Sequence, residues 1–301
     1  MKRAKWVVAL MAALCAAGTG AYGQQTEDPR TVRAPVEEPG IDEVEVEEAE
    51  EEKPWYLEGG VDFRSQYIFR GYTQSEHGYI AQPYVEFGHT VFDSGEGFSI
   101  TPYLGTWNNL TEEQGADDLE HWNEFDAFGG ADFAFGDFNI RLLYTLYSSP
   151  ANVFDDIHEL GLIFSHPIGE VGPFESLNAA VGVYQELRDD NGTEDAYLEL
   201  GLQPTLAELK AGDLPVLLSF PIIVGASLDD YYPDAEGDDE FLGYTQIGIR
   251  ASIPLPLPAR YGAWSIAGEI DYVHLFSDGA AELNDGQEDE IIFVGNVTYS
   301  F

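Results

Sequence analysis

Six histidines, His77, His89, His121, His158, His166 and His274, are the side chains best suited to bind a transition metal or act as a general base. No pair of them shows the HExxH spacing that puts two imidazoles and a Glu on one helix face. A hydrolase would need a Ser held against a His. His274 with Ser277 is a sequence-near candidate, and His158 lies towards the end of another segment. Ser and Thr are common enough here for such proximity to arise by chance, and isolated His read better as polar residues of an interface. Cys15 is the only cysteine. Ala12-Ala13-Leu14 before it departs from a lipobox, which has Leu first and a small residue next to Cys. Acidic stretches invite calcium, but Asp234-Ala-Glu-Gly-Asp-Asp-Glu240 has its Gly misplaced for an EF-hand. Asp189-Asp-Asn-Gly192 reads as a tight hairpin, because Asn-Gly suits a type I′ turn. The reading is a chain without catalytic residues, cofactor or dedicated metal site, its acidic loops holding divalent cations at most loosely.

The charges that remain follow a rule. Asp62, Arg64, Arg70, Glu86, Asp126, Asp132, Arg141, Glu199, Arg250, Glu269 and Asp271 all share one parity within their segments, as do Glu58 and Glu124. Arg64 and Arg70 should lie beside the segment bearing Glu86. Arg141 should lie between segments bearing Asp126, Asp132 and Glu159, and Arg250 beside Glu269 and Asp271. Facing Arg and carboxylate residues form charge-assisted ladders. Two uses are open. The ladder either braces a narrow, nearly filled interior or forms a charged constriction that sorts solutes.

These positions need strands. From Trp55 onward, stretches alternate in polarity between turn-forming residues. Twelve strands are expected, centred near Val61, Val85, Tyr103, Gly129, Leu142, Leu162, Val181, Leu200, Ile222, Ile247, Ile270 and Val297. The parity opposite the charges is apolar. It collects Trp55, Leu57, Val61, Phe63, Tyr67 and Phe69, then Val85 and Phe87, and alternate residues over 138–146, 160–164, 198–202, 216–228, 247–253 and 264–272. Arg facing lipid near the midplane of a barrel costs roughly 2–4 kcal/mol, so segregation of this kind is required of segments that cross a membrane. Trp55, Trp122 and Trp264 fall where an interfacial girdle would sit, whereas Trp107 has the opposite parity and is placed in the mouth. Connections alternate too. Those over 71–78, 108–120, 229–240 and 277–289 are long and acidic, with 148–155 and 189–194 shorter, while the intervening ones are tight or rich in Pro. Outer-membrane barrels keep short turns in the periplasm and long loops outside.

The ends agree. Lys2, Arg3 and Lys5 precede an apolar run from Trp6 to Ala17, roughly a dozen residues and too short for a spanning helix. Ala21-Tyr22-Gly23 offers a cleavage site, so 1–23 is read as a signal peptide. Residues 24–53 repeat like charges, carry no aromatic and read as a disordered acidic periplasmic linker. The barrel then spans 54–301. A net charge of −42 argues against nucleic acid as a partner. The chain ends Ile291-Ile-Phe-Val-Gly-Asn-Val-Thr-Tyr-Ser-Phe301, with its apolar residues at odd positions. This end resembles the C-terminal strand of bacterial outer-membrane barrels. There a terminal Phe with an aromatic two positions earlier, here Phe301 and Tyr299, is the signal read by the barrel-assembly machinery.

Ser65-Gln66-Tyr67-Ile68-Phe69-Arg70-Gly71, followed by Thr73-Gln74-Ser75 and Gln82-Pro83, resembles the N-terminal motif of the TorF-type porin family. The match covers about twenty-five residues, and the long acidic lead is foreign to the family. The resemblance implies a barrel with a channel role and does not imply a substrate. The sequence is therefore read as an all-β, transmembrane, antiparallel up-and-down barrel of twelve strands in a Gram-negative outer membrane, with both termini periplasmic. Its expected function is passive diffusion of small hydrophilic solutes, favouring cations, with the outer-membrane lipid and the assembly machinery as partners. The alternative is a closed structural or adhesion barrel with acidic surface loops.

Overall fold

A computed structural model describes residues 53–112, 121–187, 195–206, 208–212, 214–234 and 237–301. The expected signal peptide, nearly all of the acidic linker and the 189–194 hairpin lie outside the described residues.

Each of the twelve strand centres falls inside a strand. The strands are β1 Trp55–Arg64, β2 Ile80–His89, β3 Phe98–Thr111, β4 Trp122–Phe135, β5 Phe138–Ser148 and β6 Ile157–Val171. They continue as β7 Phe174–Leu187, β8 Ala196–Leu206, β9 in two pieces (Leu214–Ser219 and Ile222–Asp229), β10 Leu242–Leu255, β11 Ala263–Leu275 and β12 Asp289–Ser300. Every strand pairs antiparallel with its sequence neighbours. β12 pairs β1 from Glu58↔Ser300 to Arg64↔Val294, so the sheet is a closed twelve-stranded barrel without a free edge. The break in β9 falls at Phe220-Pro221, where Pro has no N–H to donate. Register is kept across it, because Ser219 pairs Arg250 and Ile222 pairs Ile247.

The ends differ as the connections predicted. One rim holds the start of β1, the end of β12 and short turns. Gly136 (φ 59°) and Gly172 (φ 61°) each open a two-residue hairpin turn where positive φ comes first, a place for Gly. The last of these turns starts later than expected, because Pro254 and Leu255 remain in β10 and a 3₁₀ turn, Ala259–Tyr261, follows. The opposite rim holds the long connections. Two of them fold on their own account. Tyr67–Phe69 and Tyr72–Ser75 form a small hairpin between β1 and β2. Helix α1, Asp278–Leu283, lies between β11 and β12 and is capped by Ser277, whose Oγ accepts from Ala280 N at 3.1 Å.

The outer face is the apolar parity set. Leu104 is 64% exposed, Ile249 55%, Phe293 56% and Ile270 52%, and Val85, Leu142, Leu160 and Ile247 are exposed around the same belt. A belt of this extent is far beyond the apolar patches that soluble monomers leave in water. Aromatic pairs ring the short-turn rim: Trp55 on Phe301 (5.6 Å), Trp264 on Tyr299 (5.0 Å), Phe98 on Phe135 (4.9 Å) and Phe138 near Phe164 (6.1 Å). The inner face seats its rings in recesses. A Cβ on Gly88 would lie 2.1 Å from the Tyr56 ring, and one on Gly225 2.2 Å from Tyr244. Only Gly allows those rings to lie flat against the neighbouring strand.

Two placements differ from the sequence reading. Tyr67 and Phe69 do not extend the lipid face of β1. The strand ends at Arg64, the chain turns into the bore, Tyr67 is 2% exposed, and Phe69 packs against the same interior cluster. Trp107 does not sit in an open mouth but is buried against Tyr67, ring centres 5.4 Å apart.

Candidate functional site

The barrel interior holds the chemistry in three groups. The first spans β1 to β5. Arg141 on β5 donates from Nε and Nη2 to both oxygens of Asp132 on β4 (2.9 and 2.8 Å). It also donates from Nη1 and Nη2 to Glu86 on β2 (3.2 and 2.9 Å), across two intervening strands. The Tyr103 ring lies 4.0 Å from this guanidinium, and the Tyr56 hydroxyl donates to Glu86 at 2.6 Å. Asn139 donates to Asp132 at 3.2 Å. Bidentate forks on two carboxylates fix the guanidinium plane as well as its position.

The second group runs over β1, β12, β11 and β10. Arg64 donates to Asp62 at 3.0 Å, and Asn296 donates to the other Asp62 oxygen. Arg250 donates to Glu269 at 3.2 Å and to Asn296 at 3.3 Å. Gly248 leaves the space that Asp271 and Glu269 fill, since a Cβ there would meet Asp271 Oδ1 at 2.3 Å.

The third group closes the long-loop half. Tyr67, Ile80, Trp107, Tyr244, Leu275 and Ile292 form a buried cluster with Ala280 and Ala281 of α1. Into it reaches Arg70, at the tip of the hairpin, with Nη1 and Nη2 on the two oxygens of Glu159 on β6 (2.5 and 2.9 Å). The Tyr147 hydroxyl donates to the same carboxylate at 2.9 Å. Tyr184 and Tyr197 rings lie 4.4 Å from the guanidinium, with Phe69 at 4.8 Å. Arg70 has φ 50° and Gly71 φ 87°. That turn accepts Asn or Gly readily, while the left-handed region disfavours other L residues by roughly 1–2 kcal/mol. Neighbouring loops hold the hairpin backbone. Tyr232 donates to Arg70 O (2.8 Å), Asn284 to Gly71 O (2.7 Å) and Tyr72 to Tyr231 O (2.8 Å). Burial pushes the Tyr72, Tyr231 and Tyr232 hydroxyls above the ordinary tyrosine range, so all three stay protonated; Tyr72 and Tyr232 donate, while the Tyr231 hydroxyl accepts from Arg70 Nη1 at 3.4 Å.

Of the eleven expected positions, Asp62, Arg70, Glu86, Asp126, Glu199, Arg250, Glu269 and Asp271 are buried, and Arg64, Asp132 and Arg141 are partly buried. Asp126 is fully buried on β4 opposite Trp107, and Glu199 accepts from Tyr197 at 2.6 Å. The expected pairing of Arg250 with Glu269 is present. Arg64 lies, as expected, on the strand next to the one bearing Glu86, and its guanidinium donates to Asp62, two residues away on its own strand. Arg70 does not lie beside the Glu86 strand, because the hairpin carries it across the bore to Glu159. Arg141 takes Glu86 in addition to Asp132, and Glu159 belongs to Arg70. The tyrosines around the Arg70 and Arg141 guanidinium groups lie beyond what the charge pattern shows, although Tyr184 and Tyr197 carry the inward parity. His274 Nδ1 lies 2.8 Å from Asp289, while Ser277 donates to Pro233 O and caps α1, so the two do not meet. Tyr299 and Phe301 sit at the short-turn rim, where the Phe301 N–H donates to Leu57 O at 2.9 Å.

No family model matches the chain, and no curated protein matches it. Among solved structures, the chain is similar to an outer membrane channel from Pseudomonas putida F1 at 8% identity, covering 86% of this chain and 100% of that one, with a TM-score of 0.46. It is also similar to the KdgM porin in complex with disordered oligogalacturonate at 9% identity, covering 82% and 99%, with a TM-score of 0.37. A third is LpxR from Salmonella typhimurium at 10% identity, covering 81% and 99%, with a TM-score of 0.42.

Proposed function

We propose that this chain is an outer-membrane β-barrel that acts as a porin-like channel for passive diffusion of small hydrophilic solutes and favours cations. The observation that carries the reading is the charged inner wall inside an apolar outer belt. Among the described residues nine carboxylates are buried, namely Glu58, Asp62, Glu86, Glu124, Asp126, Glu159, Glu199, Glu269 and Asp271, against Arg70 and Arg250, with Arg64 and Arg141 slightly more open. A low-dielectric wall focuses such an excess along the bore. The even strand number puts both barrel ends at one rim, which on this reading faces the periplasm. Tyr299 and Phe301 then serve as the assembly signal, the outer belt meets lipid, and the acidic loops hold divalent cations loosely.

Reversal potentials across planar bilayers under a salt gradient test the proposal. Cation preference should be present and should weaken as the screening length falls from about 10 Å at 0.1 M to about 3 Å at 1 M. Neutralising Glu269 and Asp271 together should reduce it; anion selectivity in the wild type would overturn it. The closed structural barrel is favoured by one observation, the packed cluster in the long-loop half. Absence of conductance both in the wild type and after replacing the 67–75 hairpin by a short Gly-Ser link would establish that reading instead.

A further inference from the structure

The Arg70 guanidinium sits in a receptor that the barrel wall builds without the hairpin. Glu159 on β6, Tyr147 on β5, Tyr184 on β7 and Tyr197 on β8 come from four consecutive strands. Together they provide a carboxylate gripped at both oxygens, a hydroxyl that orients it and two rings at 4.4 Å. Flat faces beside a fork-accepting carboxylate suit a planar, delocalised cation better than a compact ammonium. The occupant crosses the bore to reach them, from the β1–β2 connection to the far wall.

Three observations mark Arg70 as a ligand rather than a brace. Its backbone is held in the left-handed region, where Asn would be easier, so the side chain is what the position requires. The hairpin is tied down by hydrogen bonds to the Arg70 and Gly71 carbonyls, which any residue at the tip would keep. The fit is also incomplete, since Arg70 Nε and the Tyr184 hydroxyl are buried with no hydrogen-bond partner among the described residues. A freely diffusing guanidinium could orient itself to use such groups, whereas a tethered one does not.

We propose that this wall site is a receptor for solutes carrying a guanidinium group, occupied in the closed state by Arg70 as an internal competitor. A solute that takes the site frees the hairpin tip and lets the long-loop end open. The opening step rests on the channel reading above; the binding step does not.

Arg70→Asn vacates the site while keeping a residue suited to the turn. Full-length protein in detergent, titrated with propylguanidinium in a calorimeter, should show saturable binding in Arg70→Asn, at least tenfold weaker binding in the wild type, and none in Arg70→Asn with Glu159→Gln. Propylammonium, a cation without the fork, should bind Arg70→Asn at least tenfold more weakly. Equal binding by wild type and Arg70→Asn, or binding that survives Glu159→Gln, overturns the receptor. If Arg70→Asn does not fold alone, propylguanidinium present during refolding should restore heat-modifiable barrel, and absence of rescue overturns the proposal as well. Conductance is read separately. Binding without any current leaves the receptor standing and removes the channel reading.

Discussion

At the scale of single residues, the interior depends on small side chains set beside large ones. Gly88 has a recess role, because the Tyr56 ring occupies the space a Cβ would need. Gly88→Val should cost about 1–3 kcal/mol through overpacking, read as a lower denaturant midpoint for loss of the heat-modifiable form. Arg250 tests the polar side of the same wall. Its side chain is 5% exposed and that of Glu269 1%. Arg250→Leu leaves Glu269 buried without that cation and should cost roughly 3–5 kcal/mol, while adding Glu269→Leu should recover most of the loss. A double variant as unstable as the single one would show that the arginine stabilises the wall through Asn296 rather than Glu269. Neither Gly88 nor Tyr56 could be matched from sequence, since the parity of a strand gives a face but not the register of its neighbour.

The elements were more legible than their contacts. Period-two alternation around Ile247, Ile270 and Ile291 told inside from outside because lipid and bore impose opposite polarities on alternate residues. The same rule misplaced Tyr67 and Phe69. They continue the alternation of β1, and alternation cannot distinguish a strand that runs on from one that doubles back into the barrel. Arg70-Gly71 between Phe69 and Tyr72 was the available turn signal. Its partner Glu159 lies 89 residues away, beyond anything spacing can report. Two predictions belong here. Replacing the 67–75 hairpin with a short Gly-Ser link should raise unitary conductance several-fold while the barrel still folds. Deleting Phe301 should reduce the amount of heat-modifiable barrel in outer-membrane fractions; unchanged amounts would remove Phe301 from the assembly signal.

For the whole molecule, closure by the β12–β1 seam makes the twelve strands equivalent in one respect, since each has two partners. The Leu57 and Phe301 backbones are hydrogen-bonded to each other at the short-turn rim, so the two ends of the barrel are already in contact. β4 reaches that same rim and ends on Phe135, with Phe133 two residues earlier. Its following turn begins at Gly136, where a Cβ would meet nothing within 4 Å. The linear order of the chain is therefore one choice among several for the same closed surface. A circular permutant joined from Phe301 to Trp55 by a flexible link, and opened between Phe135 and Gly136, would again finish on an aromatic-ended strand. It should refold in detergent to a barrel of the same heat-modifiable mobility.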